Sequence, residues 1–128
     1  MILSDVSHNI AIQVETAYLP EQSDPEKKRY VFSYHITITN NDPQPVQLLR
    51  RHWRIVDGDE QAQEVEGEGV IGEQPVIEPQ QSYSYTSGTV LATRVGSMQG
   101  HYLMKTSDGE TFNADIEPFT LALPNALH

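Results

Sequence analysis

Residues 30–39, Y-V-F-S-Y-H-I-T-I-T, carry the clearest structural signal in the chain. The even-numbered positions are all large and apolar, namely Tyr30, Phe32, Tyr34, Ile36 and Ile38, and most of the odd-numbered positions are polar. Alternation with a period of two is typical of a β-strand that buries one face and exposes the other. We therefore expect a long strand here whose even-numbered side chains enter a core.

The same alternation recurs along the rest of the chain in short runs separated by turn residues. Further strands are predicted at residues 9–19, 46–56, 61–65, 80–91, 101–106 and 110–123, and no segment shows helical periodicity. Such a series of short strands in 128 residues is typical of an immunoglobulin-like or fibronectin type III-like antiparallel β-sandwich of seven to eight strands. We therefore predict an all-β chain that forms a single domain over residues 1–128, with its core in about residues 10–123.

The predicted third strand carries a mixture of apolar and basic side chains. Leu49, Trp53 and Ile55 share one parity, which is predicted to face the core, and Arg50, His52 and Arg54 share the other. Arg51 has the parity of Trp53, so it either lies near the strand edge or marks a shift of the pleat.

Glycine and proline predict the remaining turns and irregularities. Gly88 indicates a bulge or a close backbone approach within its strand. Gly96 and Gly100 are expected to frame a turn before the strand at 101–106, and Ser107–Gly109 to form a hairpin turn of the Asp-Gly type. Pro118 is expected to interrupt the last strand.

Charge and composition exclude several function classes. The formal net charge is −10, and an acidic surface repels nucleic acid and anionic lipid, so we expect no nucleic-acid partner. Cysteine is absent, which excludes disulfides, thiolate zinc sites and cysteine nucleophiles. The N-terminal stretch lacks the basic start and apolar run of a signal peptide, and no run approaches the roughly 20 apolar residues of a membrane span. We therefore expect a cytoplasmic protein without membrane insertion.

A glycine-rich stretch at residues 67–79, G-E-G-V-I-G-E-Q-P-V-I-E-P, contains Gly67, Gly69 and Gly72 in G-x-G-x-x-G spacing. That spacing binds dinucleotides where it follows a strand and opens a helix, whose N-terminus supplies amide donors. Here Pro75 and Pro79 follow closely and helical periodicity is missing, so the required context fails. We favour a structural crossing between strands. An anion site at Gly67–Gly72 and a protein-recognition surface remain alternatives.

Histidine and arginine are the other candidates for a site. The histidines are His8, His35, His52, His101 and His128, and their spacing in sequence is not typical of a metal site. A cross-strand pair such as His52 with His101 remains the alternative, but we predict no metal and no cofactor. The face with Arg50, His52 and Arg54 is a candidate protein-interaction surface, because arginine is enriched at interface hot spots. Salt bridges from these arginines to neighbouring acids are the alternative.

The sequence predicts no catalytic residue. A serine nucleophile on a strained turn would need a G-x-S-x-G elbow, which the chain lacks. Carboxylates are abundant, but none lies in an apolar stretch that would raise its pKa for acid–base work. We therefore predict a non-enzymatic protein.

Four longer motifs, taken in order, resemble the bacterial ApaG family: V-Q-L-L-R-R-H-W-R-I, G-E-G-V-I-G-E-Q-P, Y-S-Y-T-S-G and G-S-M-Q-G-H-Y-L-M. The resemblance covers residues 10–123. It implies a fibronectin type III-like sandwich, a link to cobalt resistance and magnesium efflux and, from eukaryotic relatives, use of the domain as a protein-binding module. No catalytic residues are established for the family, so the resemblance implies none here.

Two positions depart from the family pattern, and both lie in connections. This chain has Arg94 after Thr93 where the family usually has proline, and Gln80 after Pro79 where it usually has glycine. Arg94 adds a positive charge that we expect near the glycine stretch. The prediction is therefore an interaction or regulatory module linked to divalent-cation homeostasis. The alternative is a module that binds pyrophosphate or a dinucleotide polyphosphate at Gly67, Gly69, Gly72 and Arg94.

Overall fold

The structure, a computed structural model, describes residues 8–125. Residues 1–7 lie outside the described residues, and they make up most of the N-terminal stretch assessed above for a signal peptide. His128 also lies outside the described residues. The strands are β1 Ile10–Tyr18, β2 Tyr30–Asn40, β3 Val46–Asp57, β4 Ala62–Glu68, β5 Val76–Ile77, β6 Ser82–Leu91, β7 Val95–Thr106 and β8 Thr111–Ala122. Short 3-10 turns at Pro20–Gln22 and Pro25–Lys27 lie between β1 and β2.

The strands form two antiparallel sheets, which confirms the predicted sandwich. One sheet has the order β1-β2-β6, and the other has the order β4-β3-β7-β8 with the short β5 also paired to β3. The fourth strand thus joins the sheet of the third, which is the fibronectin type III variant of the immunoglobulin-like arrangement. Within the described part of the chain, no helix is long and apolar enough to cross a membrane.

The core lies between the sheets and is centred on Trp53. As predicted, the even-numbered residues of β2 are buried, with Ile36 and Ile38 completely inaccessible. The Trp53 ring is 2% exposed and makes edge-on contacts with Tyr34, Tyr102 and Phe119 at centroid distances of 5.4, 6.3 and 5.9 Å. Such aromatic pairs stabilise by about 0.5–1.5 kcal/mol beyond the area they bury.

A β-bulge in β3 changes which residues face this core. The register with β7 shifts between Leu48 and Arg50, so the even-numbered Leu48 is buried before the bulge and the odd-numbered Trp53 is buried after it. The prediction that Leu49 faces the core is therefore wrong, since its side chain is only half-buried. Of the two alternatives for Arg51, a strand edge or a pleat shift, the structure has a pleat shift, but it lies before Arg51, which therefore stays on the same face as Trp53.

The other expectations about glycine and proline have different outcomes. Gly96 and Gly100 do not frame a turn, because β7 runs unbroken through both, and a side chain at either would collide with the β3 backbone. Pro118 interrupts the pairing of the last strand as a bulge, and β8 continues beyond it to Ala122, which an edge strand tolerates. At Gly88 the register stays regular, so only the close approach to Phe32 is confirmed.

The buried side chain of Asn40 holds the connections beside the core in place. Its amide donates to the carbonyls of Gln44 and Ile77, both at 2.9 Å, and its oxygen accepts the N–H of Asp42. A buried amide that satisfies three backbone groups is costly to remove, because its partners would be left unpaired. Asn40 therefore links the β2–β3 turn to β5 and positions the segment that follows the glycine stretch.

Gly100→Ala tests the close approach between β3 and β7. The new methyl group would overlap the His52 carbonyl, so we expect the free energy of unfolding to fall by about 3 kcal/mol. Gly88→Ala is the matched control: its methyl group would lie 3.2 Å from the Phe32 carbonyl, and we expect a loss below about 1 kcal/mol. Urea denaturation measures both. Equal losses in the two variants would contradict the packing argument.

Candidate functional site

The outer face of the larger sheet brings together Arg50, His52 and Arg54. These side chains occupy alternate positions of β3 after the bulge, opposite in direction to the buried Trp53 and Ile55. Arg50 and Arg54 are exposed and His52 is half-buried between them. The structure therefore places the three predicted residues on one continuous surface.

Strand register extends this surface across four strands. His52 pairs with Glu66 on β4 and with His101 on β7, and His101 pairs in turn with Asp115 on β8. The two imidazole rings are stacked, with centroids 5.1 Å apart and planes at 8°. The sequence suggested His52 with His101 only as one option, because residues 49 positions apart meet only once the register of β3 and β7 is known. We call this surface, formed by Arg50, His52, Arg54 and His101, the basic ridge.

Acidic side chains from β4 border the basic ridge. The Glu64 carboxylate lies 2.5 Å from His52 Nε2 and accepts a 2.9 Å hydrogen bond from Arg54. The Arg54 hydrogen bond, assisted by His52, lowers the pKa of Glu64 below its ordinary value despite opposing desolvation. Among residues 8–125, no carboxylate forms an ion pair with Arg50. The salt-bridge alternative thus holds for Arg54 and fails for Arg50.

The basic ridge has no deep pocket and no metal site in the part of the chain that the structure describes. No group of three or more His, Cys, Asp or Glu side chains is placed to hold a metal ion among those residues. Two cavities of about 140 and 340 Å³ lie beside the stacked histidines. This geometry suits contact with another surface better than enclosure of a small ligand.

The glycine stretch forms a tight hairpin rather than an open phosphate loop. Gly69 has a φ of +63°, and Ile71 and Gly72 have φ of +43° and +81°. Two central residues with positive φ define a type I′ turn, here closed by paired backbone hydrogen bonds between Val70 and Glu73. The G-x-G-x-x-G motif therefore supplies the positive φ angles of a sharp turn, in line with the predicted structural crossing between strands.

Most of the amide donors in this hairpin are already used. Gly69 N–H donates to the Leu49 carbonyl at 2.8 Å, and Val70 and Glu73 donate to each other's carbonyls at 2.9 Å. Gly67 belongs to β4, opposite Arg51. Within the described residues, the N–H groups of Ile71 and Gly72 at the turn tip donate to no backbone carbonyl. An anion would find few donors from the loop alone.

Arg51, and not Arg94, supplies positive charge beside the hairpin. Its guanidinium crosses Gly67, where a Cβ atom would lie 2.9 Å from the nitrogens, and donates to the carbonyls of Glu68 and Gly69. Arg94 lies in the turn after β6, where its carbonyl accepts the Leu123 N–H. Eight residues of β6 separate that turn from Tyr83, which touches the hairpin through Glu73, a distance on the order of 25 Å. The structure therefore does not bring Arg94 to the glycine stretch.

A cavity of about 320 Å³ lies beside this guanidinium, and Tyr85 forms part of its wall. The Tyr85 hydroxyl is buried against the Tyr102 hydroxyl at 2.5 Å. Burial raises the pKa of both phenols well above the ordinary tyrosine value, because the phenolate would be desolvated. Both phenols therefore stay neutral at physiological pH, and the pair is structural.

Arg54→Gln tests the electrostatics of the basic ridge. Without the guanidinium, we expect the pKa of Glu64 to rise toward its ordinary value, as measured by NMR titration of its carboxyl carbon. In the wild type, the lowered pKa means that Glu64 stabilises the fold above its ordinary pKa, and that this contribution is lost as pH falls through the folded-state pKa. Arg50→Gln is the control and should leave the Glu64 titration unchanged. A shift of equal size in both variants would contradict the assigned contact.

The chain is similar in sequence and in overall fold to known proteins. Residues 20–106 match the ApaG domain. Protein ApaG of Azotobacter vinelandii is 58% identical over 126 residues, covering 98% of this chain and 100% of the relative. Protein ApaG of Pseudomonas aeruginosa is 57% identical with the same coverage. A crystal structure of an ApaA protein from Bordetella pertussis superposes with a TM-score of 0.90 at 43% identity, covering 93% of this chain and 97% of that one. The chain therefore belongs to the ApaG-domain family.

Proposed function

We propose that this ApaG-domain chain is a non-enzymatic module that binds a protein partner through the basic ridge. The observation that carries the proposal is the exposed Arg50 guanidinium, which has no carboxylate partner among residues 8–125. Arginine without an internal partner is available for bidentate bonds to a carboxylate on another protein. Glu68 is the register partner of Arg50 on β4 but forms no ion pair with it, so the Arg50 guanidinium gives an acidic segment of a partner a defined docking position.

The neighbours of Arg50 support a flat protein contact. Leu103 lies beside it on β7, and the stacked rings of His52 and His101 continue the surface. Half-buried apolar and aromatic groups next to arginine resemble the centre of a protein interface. The acidic rim from Glu64 and Glu66 would repel a wrongly placed acidic segment and so define the orientation of the partner.

The role in divalent-cation homeostasis is part of the same proposal. We propose that the link to cobalt resistance and magnesium efflux acts through the bound partner, with this chain as a regulatory module in the cytoplasm. The absence of a three-ligand His, Cys, Asp or Glu group among the described residues supports an indirect role over direct metal binding.

Arg50→Glu tests the proposed surface. We expect the variant to lose partner capture from a bacterial lysate by about 30-fold or more, the effect of a hot spot worth 2 kcal/mol. Lys27→Glu carries the same charge reversal in the exposed turn before β2 and should retain capture. Quantitative mass spectrometry of the captured proteins measures both. Equal retention by the two variants would eliminate the basic ridge as the binding surface.

A second candidate function is the binding of a small anion such as pyrophosphate or a dinucleotide polyphosphate beside the glycine hairpin. The observation that favours it is the Arg51 guanidinium, which within the described residues donates hydrogen bonds only to the backbone carbonyls of Glu68 and Gly69. Its remaining N–H groups, with the amides of Ile71 and Gly72, would offer donors to phosphate oxygens. The nearby Glu68 and Glu73 carboxylates oppose this binding, so it stays second.

Thermal unfolding with pyrophosphate and with diadenosine tetraphosphate tests this candidate. A ligand that binds only the native state raises Tm with concentration, and we expect Arg51→Gln to abolish that rise relative to its own ligand-free Tm. Arg94→Gln, remote from the hairpin, should keep it. Loss of the rise in Arg94→Gln but not in Arg51→Gln would contradict the site, and no rise in the wild type would eliminate it.

A further inference from the structure

Strand β6 is an edge of the three-stranded sheet, because among residues 8–125 it pairs with β2 alone. Its sequence, S-Y-S-Y-T-S-G-T-V-L, spans 10 residues without a charge, a proline or a shift of register. Within the described residues, no backbone hydrogen bond from outside the β2 ladder reaches Ser82–Leu91. Alternate N–H and C=O groups of β6 therefore remain open along this edge.

The other sheet edges carry features that prevent pairing. β1 carries Glu15, β4 carries Glu64, Glu66 and Glu68, and β8 carries Asp115, Glu117 and Pro118 at its bulge. Charges, prolines and bulges are the means by which natural proteins protect edge strands. On a chain with a net charge of −10, the uncharged edge of β6 is an exception that calls for a function.

The smaller sheet has the order β1-β2-β6 and the larger sheet the order β4-β3-β7-β8, so the larger sheet has one more strand in its main ladder. On the opposite side of the sandwich, β1 packs against β8. On this side, the inward-facing residues of β4 are Gln63, Val65 and Gly67, which pair with Ile55, Trp53 and Arg51. Val65 faces inward and is nonetheless 36% exposed, because the smaller sheet has no strand above it. We call the space bounded by Gln63–Gly67 and Tyr85–Leu91 the β4–β6 groove.

A cavity lies at each end of the β4–β6 groove. The first, of about 200 Å³, is lined mainly by aliphatic side chains that include Ile55, Ala62 and Leu91. The second, of about 320 Å³, contains Arg51, Tyr85 and Ser87. Ser87 and Leu91 are four residues apart on the inner side of β6, so about 13 Å separates the two positions. Residues i and i+4 of an added strand would have the same spacing and direction.

The two cavities differ in chemistry. The cavity at Leu91 suits an aliphatic side chain, with Asp57 at its polar margin. In the cavity at Ser87, the Arg51 guanidinium has no ion pair among residues 8–125, although Glu68 lies in the same wall. A carboxylate that reaches Arg51 there would gain a charge-assisted hydrogen bond.

We propose that the β4–β6 groove binds an extended segment of a partner protein by strand addition. The segment runs antiparallel to β6, places an aliphatic side chain in the cavity at Leu91, and places an acidic side chain four residues later beside Arg51. Backbone bonds to β6 supply affinity and the two cavities supply specificity. This site lies apart from the basic ridge and does not depend on it.

A second copy of this chain fits the groove less well. The inner side chains of a partner β6, such as its Tyr85 and Leu91, already belong to that copy's own core, so they would leave both cavities empty. The acidic β4 strands of two copies would also approach each other. A single extended segment fills the space without either cost.

A capped peptide, Thr-Ile-Thr-Val-Thr-Glu-Thr, titrated into ¹⁵N-labelled protein, tests the proposal. We expect chemical-shift changes along Tyr85–Leu91 and at Arg51 and Val65. Two N-methylated versions, one at the odd and one at the even peptide positions, should differ at least tenfold in affinity, because only alternate amides of a strand face its neighbour. Equal affinity of the two versions, or no shift along β6 at millimolar peptide, would overturn the proposal.

Matched variants separate this site from the basic ridge, while the cavity beside Arg51 is shared with the anion candidate. Thr89→Lys places a charge on the inner side of the β6 edge and should abolish peptide binding, whereas Ser84→Lys on the outer face should not. Arg51→Gln should lower affinity for the Glu peptide about tenfold and leave a Gln-substituted peptide unaffected. Arg50→Glu should bind normally, so failure of the basic ridge leaves this result intact. A concentration-dependent dimer that Thr89→Lys dissolves would show a second copy in the groove and overturn the proposal.

Discussion

The β-bulge between Leu48 and Arg50 is the constraint on which the rest of the molecule depends. A single extra residue reverses the pleat, so one strand buries Leu48 before the bulge and Trp53 after it. Without that reversal, Trp53 would face solvent, and Arg50 and Arg54 would face the core. The bulge therefore determines both which side chains enter the aromatic core and which form the basic ridge.

The bulge also explains the place of Arg51. After the bulge, the Arg51 side chain faces inward like that of Trp53. The core has no room for its charged guanidinium. It lies instead across Gly67 at the open side of the sandwich and donates to backbone carbonyls of the hairpin. The glycine motif is thus explained by packing: Gly67 makes space for a guanidinium, and Gly72 allows a sharp turn.

Unequal sheet widths give the molecule two kinds of surface. On the outer face of the larger sheet, histidine and arginine side chains form a continuous surface bordered by acidic side chains. On the β4–β6 side, Val65 of β4 is partly exposed and the uncharged edge of β6 is not paired with a further strand of the described chain. Surface charge suits the first to recognition of a folded partner, and open backbone suits the second to recognition of an extended one.

Much of the fold was predictable because its signals are local. Alternation in β2 depends only on the chemistry of neighbouring residues, and the Ser107–Gly109 hairpin turn depends on the backbone freedom of one glycine, which has a φ of +92°. The turn predicted at Gly96 and Gly100 is wrong because both glycines are required by the close approach of β3, a strand far away in the sequence. Arg94 was misplaced for the same reason, since the distance between two turns depends on the length and direction of β6.

The all-β class, the family resemblance and the placement of Arg50, His52 and Arg54 on one strand could be read from the sequence. These features follow from side-chain period and motif, which do not require knowledge of distant residues. Three other facts needed the folded chain: His52 stacks on His101, Arg51 and not Arg94 lies beside the glycine hairpin, and β6 is an open edge of its sheet. Those facts arise from strand register and from the unequal width of two packed sheets, which are properties of pairs of segments far apart in the chain.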